Sequence, residues 1–254
     1  MAASVKSRSA VTPVRECEPD HSAVPLSAKL IDSSARGAGK IRHSHLGADI
    51  LLSFDPSSVF SQAIEDHLKV IDSLRDQQSV LQRIAEEMTR AILASKKVLW
   101  CGNGGSAADS QHFAAELMGR FRRERCAFPS IALTTDTSIL TAVGNDYGYE
   151  RVFQRQVEAL CTKGDVLVGI STSGSSKNVC AALQTARQIG AFTVAFTGQG
   201  GGEIAAIADV ALRIPSKDTA RIQEGHIFCG HMLCDWVEGS VCEQKTELAK
   251  GVVR

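Results

Sequence analysis

Apolar positions fall into a helical period soon after residue 55. Asp55-Pro56-Ser57 is a helix-start signal, a side-chain acceptor followed by a proline in the first turn. Phe60, Ile64, His67, Leu68, Ile71 and Leu74 then recur at spacings of three and four, and Leu81, Ile84, Met88 and Ile92 carry the pattern into a second helix. The pattern then changes to short apolar runs. Strands are predicted at 97–101, 130–133, 166–170, 193–196 and 210–214. Helices are predicted at 107–122, 149–160, 177–189 and 203–208, with a last long helix over 220–243. Such alternation implies right-handed β-α-β crossovers and a parallel sheet covered on both faces, an α/β fold. Ligands of open parallel sheets bind beyond the carboxyl ends of the strands, so the loops there are the places to look for chemistry.

Residues 1–55 read differently. They are rich in Ser, Ala and Arg, hold Pro13, Pro19 and Pro25, and show no sustained period, the composition of a disordered extension. Lys6, Arg8 and Arg15 without an acid resemble a transit peptide, but Glu16, Glu18 and Asp20 follow at once and argue against targeting. The expected organisation is therefore this extension and one domain over 56–254. Lys plus Arg and Asp plus Glu balance at 28 each, so no long-range field favours nucleic acid or an anionic membrane as partner. No apolar run is long enough to span a bilayer. The eight cysteines form no C-x-x-C pair and several sit in apolar runs, as reduced thiols of a cytoplasmic protein do.

Two loops stand out. The first strand ends in Gly102-Asn103-Gly104-Gly105-Ser106, where glycines let the backbone approach a ligand and Ser106 could cap the next helix. A dinucleotide fingerprint would need a further glycine at Ala107. The third strand ends in Ser171-Thr172-Ser173-Gly174-Ser175-Ser176. Five hydroxyls beside the helix start at Lys177 make a phosphate cradle, and no Walker lysine pattern ties that phosphate to a nucleotide.

Together these loops resemble the sugar isomerase (SIS) domain, which binds phosphorylated sugars. With Gln111-His112-Phe113-Ala114-Ala115-Glu116-Leu117, Val143-Gly144-Asn145-Asp146 and Arg221-Ile222-Gln223-Glu224-Gly225-His226, the chain is similar to the phosphoheptose isomerases over about residues 56–245. The resemblance implies a single flavodoxin-like domain with a five-stranded parallel sheet, preceded by amino-terminal helices. It implies conversion of sedoheptulose 7-phosphate to D-glycero-D-manno-heptose 7-phosphate, feeding nucleotide-activated heptose for lipopolysaccharide core or another glycan. Asn103, Gly104, Gly105, Asn145 and Asp146 would contact the sugar, and Ser171, Thr172, Ser173 and Ser176 the phosphate. His112, Glu116, Gln223 and His231 would form a reacting centre able to bind zinc, with Glu116 and Gln223 also meeting substrate. Family members are homotetramers with sites at subunit interfaces.

Isomerisation needs a base for carbon, an acid for oxygen and stabilisation of a developing oxyanion. His112 and Glu116, four residues apart, share one helix face, which suits a joint metal or substrate site. Glu116 is assigned as the carbon base and His231 as the acid/base acting on the sugar oxygens. Gln223 and His231 lie eight residues apart, about 12 Å along a helix, so they converge only by leaning toward each other or by meeting groups from another subunit, which the interface sites implied by the resemblance would supply. Blander readings stand beside these: Glu116 paired with Arg120, His67 as a packing or intersubunit residue, and His226 as structural or as a support behind the reacting residues. Thr219, just before Arg221-Ile222-Gln223, is a further candidate for binding substrate. The rival class is a non-catalytic adaptor of the same fold that binds the replication initiator. That group carries Thr at the position of Gly105 and lacks the histidine at that of His231; this chain has both Gly105 and His231. A sugar-phosphate-sensing transcription regulator would need a helix-turn-helix domain, for which the extension has neither length nor pattern.

Overall fold

The computed structural model describes residues 55–249, so apart from Asp55 the expected extension lies outside the described residues. Asp55 accepts the Ser57 amide at 3.0 Å and Pro56 opens α1 (Pro56–Ser73). A 3₁₀ turn at Leu74–Gln77 leads to α2 (Gln78–Leu93). Alternation follows: β1 (Val98–Gly102), α3 (Gly105–Met118), β2 (Ser130–Ala132), α4 (Thr137–Tyr147), α5 (Val152–Leu160), β3 (Val166–Ser171) and α6 (Lys177–Ile189). It ends with β4 (Phe192–Gly198), α7 (Gly202–Ile207), β5 (Val210–Ile214) and α8 (Thr219–Ala249). All pairings are parallel and the order is β2-β1-β3-β4-β5. This is the five-stranded, doubly covered sheet that the alternation predicts.

Every residue of β1 and β3 is buried, as expected of strands covered on both faces. Trp100, Val168 and Phe196 point to one core with α2, α3 and α8, and Leu99, Leu167 and Ala195 to the other with α5 and α6. β1 and β3 are neighbours with Gly102 opposite Ile170, so the glycine loop and the serine loop leave the sheet side by side.

Three elements differ from the sequence expectation. α4 was not foreseen: Asp136 caps it by accepting the Ile139 amide at 2.9 Å, but none of its residues is buried, so its apolar positions carry little period. The segment 149–160 splits into a 3₁₀ turn at Tyr149–Arg151 and α5. α3 stops at Met118 instead of continuing to 122, because the amides of Phe121, Arg122 and Arg123 are taken by the Glu238 carboxylate at 2.8–2.9 Å. Those donors are lost to the helical ladder.

Candidate functional site: an imidazole pair and a carboxylate beside two strand-end loops

The glycine loop begins with a left-handed Gly104 (φ +56°) and passes directly into α3 at Gly105. Ser106 is buried in the first turn and does not cap the helix. Asn103 exchanges two amide hydrogen bonds of 2.9 Å with Asn178, a buried residue of α6, and accepts the Tyr149 hydroxyl at 3.2 Å. That reciprocal pair joins the glycine loop to the helix that follows the serine loop. Neither Asn178 nor Tyr149 was singled out from the sequence, since an asparagine one residue into a helix carries no local signature.

In the serine loop Ser171 Oγ lies 2.9 Å from Ser176 Oγ and 3.4 Å from Ser173 Oγ. Ser171 and Ser173 also accept the amides of Gly174 and Ser175, both at 3.2 Å. Gly174 adopts φ +72° and packs its backbone on Gly201 and Gly202, so a side chain there would collide with main chain. Ser176 stands at the N-cap of α6 with its hydroxyl turned to Ser171, leaving the Lys177 and Asn178 amides without a side-chain acceptor, while the Val179 amide donates to Asn178 Oδ1 at 3.0 Å. A cluster of hydroxyls at such a helix start suits a phosphate. Thr172 lies half-buried in the same turn.

The third group joins distant stretches of chain. His112 Nε2 is 2.7 Å from His231 Nε2 and 3.5 Å from Glu116 Oε1. The three residues each offer one ligand atom within 4.8 Å of the others. The close packing of α3 on α8 explains the convergence: Gly230 lies against the Phe113 ring with no room for a side chain, which brings His231 to His112. Phe121 stacks on the His231 imidazole at 5.5 Å and Phe113 meets it edge-on at 6.4 Å. Burial lowers the His231 pKa, and the nearby His112 charge lowers it further, against the opposing pull of Glu116. Two imidazole nitrogens and a carboxylate oxygen are the donor set of an open catalytic zinc site, so the residues present fit that ion.

Other expected site residues are placed as follows. The Gln223 carboxamide packs against Gly105, where an added Cβ would overlap it. It therefore borders the glycine loop, about 12 Å along α8 from the histidine pair. Asn145 donates to Asp146 at 2.8 Å on exposed α4, and no hydrogen bond among the described residues ties them to the other groups. Thr219 is exposed at the start of α8. Arg120 pairs with Glu124 instead of Glu116. His226 is fully buried, with Nε2 3.2 Å from the Thr197 carbonyl. His67 of α1 meets Glu224 at 2.8 Å, and Arg221 pairs with the same carboxylate. Sequence reasoning missed Asp109. It precedes His112 by three residues on the same face, its Oδ2 is buried without a partner, and burial pushes its carboxyl up to about 6 against the pull of His112.

The chain's residues 60–198 match the SIS domain family. A phosphoheptose isomerase of Aquifex aeolicus is 54% identical over 186 residues, covering 73% of this chain and 96% of that protein. Among solved structures, a phosphoheptose isomerase from Neisseria gonorrhoeae is 45% identical with a TM-score of 0.65, covering 72% of this chain and 96% of that one. One from Francisella tularensis is 36% identical with a TM-score of 0.67 over the same shares. The chain thus belongs to the SIS-domain family and, within it, to the phosphoheptose isomerases.

Proposed function

We propose that the protein interconverts sedoheptulose 7-phosphate and D-glycero-D-manno-heptose 7-phosphate, as a step toward nucleotide-activated heptose. The observation that carries this reading is the meeting of Glu116 and His231 with His112 from two separate helices, all donor atoms lying within 4.8 Å. The substrate phosphate docks on Ser171, Thr172, Ser173 and Ser176 at the start of α6, where hydroxyls and free amides face it. Asn103, Gly104, Gly105 and Gln223 border the sugar chain, while Asn145 and Asp146 reach it from α4 of a partner subunit.

Glu116 takes the C1 proton of the open-chain ketose and returns it to C2. His231 accepts the O1 proton and delivers one to O2, so the net change is a hydrogen shift with no proton gained or lost. The lowered pKa of His231 keeps it neutral near pH 7, able to accept that first proton. His112, Glu116 and His231, with a fourth ligand from a partner subunit, would hold zinc, which supplies Lewis-acid polarisation of the carbonyl and hydroxyl. Gln223, expected as a ligand from the sequence, is held at Gly105 instead, too far along α8 to join them within one chain.

The working form is a homotetramer in this reading. Phe60, Ile64 and Leu68 make an exposed apolar stripe along α1, with Phe228 also exposed on α8. A cytoplasmic site of action fits the free cysteines among the described residues. No described helix is long and apolar enough to cross a membrane.

The test is incubation with sedoheptulose 7-phosphate in deuterated water, with and without a chelator, following exchange at C1. Glu116→Gln should abolish exchange while leaving the fold intact; normal exchange in that variant removes Glu116 as the base. Loss of activity on chelation, restored by zinc, supports the metal. Unchanged activity sets it aside.

A further inference from the structure

Seven residues after His231, on the same face of α8, stands Glu238, a carboxylate with no exposed surface. Burying a charge this completely is costly unless each lone pair is met. Here they are. Glu238 accepts the amides of Phe121 at 2.9 Å and of Arg122 and Arg123 at 2.8 Å, and the Arg125 guanidinium at 3.0 Å. Burial alone would raise its pKa, but these donors outweigh it and hold the carboxyl below its usual value.

Two of the groups gathered there, Arg125 and Phe121, touch the reacting centre. Arg125, itself nearly buried, donates at 3.0 Å to the main-chain carbonyl of Glu116 and to those of Leu117 and Gly119, closing the carboxyl end of α3. Phe121, the first residue the carboxylate holds, lies on the His231 imidazole with planes 26° apart. One buried carboxylate is thus tied by one arm to the backbone of the proposed base and by the other to the ring of the proposed acid. The arms leave α3 and return to α8, the two helices whose side chains must converge.

We infer that Glu238 is the positioning residue that sets Glu116 and His231 relative to each other, acting through Arg125 on the first and Phe121 on the second. Glu238 touches neither substrate nor the reacting atoms. A displacement of the order of 1 Å at a reacting group costs about 100-fold in rate, and outer residues that orient a site contribute about 10- to 100-fold. This inference rests on the isomerase reading for its kinetic consequence but not for its geometry.

Phe121→Leu keeps most of the volume and removes the aromatic plane. Its kcat should fall about 10- to 100-fold with KM and Tm nearly unchanged, and the His231 Cε1–Hε1 resonance of histidine-labelled protein should lose the ring-current shift from Phe121. Phe121→Tyr keeps the plane and should restore both. Glu238→Gln should show the same kcat defect with a lower Tm; should it fail to fold, Phe121→Leu decides alone. An unmoved His231 resonance or an unchanged kcat in Phe121→Leu overturns the inference. Should the wild-type protein not turn over sedoheptulose 7-phosphate, the functional reading falls, and the His231 resonance in Glu238→Gln, which keeps the Phe121 ring, still decides the positioning role: an unmoved resonance overturns it.

Discussion

Gly105 shows how much one missing Cβ can carry. It opens α3 directly beneath the Gln223 carboxamide, and any side chain there would enter the space that amide occupies. A threonine at that position would enter the space of the amide. Gly105→Thr should push Gln223 away from the glycine loop and raise KM for the sugar phosphate about tenfold, a loss of one good hydrogen bond. The measurement is a steady-state comparison with Gln223→Ala. Equal defects in the two variants and in the double variant mean that both act through the same contact; fully additive defects would deny it.

At the scale of elements, α3 and α8 carry the residues proposed to react, and Gly230 sets how closely they pack. Gly230 faces the Phe113 ring so closely that Gly230→Ala must part the helices. Overpacking of this kind costs about 1–3 kcal/mol, and because His112 and His231 ride on the separated surfaces, kcat should fall with Tm in a thermal melt and rate assay. A variant as stable and active as the parent would show that the seam tolerates expansion. The exposed stripe on α1 makes a separate prediction. Phe60→Glu with Leu68→Glu puts two charges on an apolar surface without touching the core, since both residues are more than half exposed. If the proposed homotetramer is held through this stripe, light scattering should report smaller species than in the parent. A mass unchanged from the parent would place the interface elsewhere.

For the whole molecule, the sheet, its helices other than α4 and the strand-end loops were legible because strand periods, glycine turns and an Asp-Pro helix start are local signals. What was not legible depends on contacts made across the fold. The early end of α3 is dictated by Glu238, more than a hundred residues away. The Asn103–Asn178 pair, the placement of Gln223 over Gly105 and the burial of Asp109 likewise exist only once α3, α6 and α8 are packed. His226 belongs to this class too, for the sequence marks it as one more helical histidine, whereas the fold buries it completely and leaves Nδ1 unpartnered. Burial lowers its pKa to about 4 from 6.5, with the Thr197 carbonyl as a weaker opposing influence. The unfolded chain therefore takes up a proton before the folded one as pH falls. The stabilisation from a neutral His226 is complete above about pH 6.5 and is lost progressively down to about pH 4. Asp109, raised to about 6, works in the opposite sense over an overlapping range, because its folded form binds the proton first. The net slope of the parent protein therefore mixes the two, and only a difference between variants isolates the histidine. His226→Gln keeps a donor toward Thr197 and removes the titration. Between pH 7 and pH 5 the parent should lose about 2 kcal/mol more stability than this variant in urea unfolding at matched protein concentration. Parallel losses in the two proteins would mean that His226 is charged, or reaches water, in the folded state.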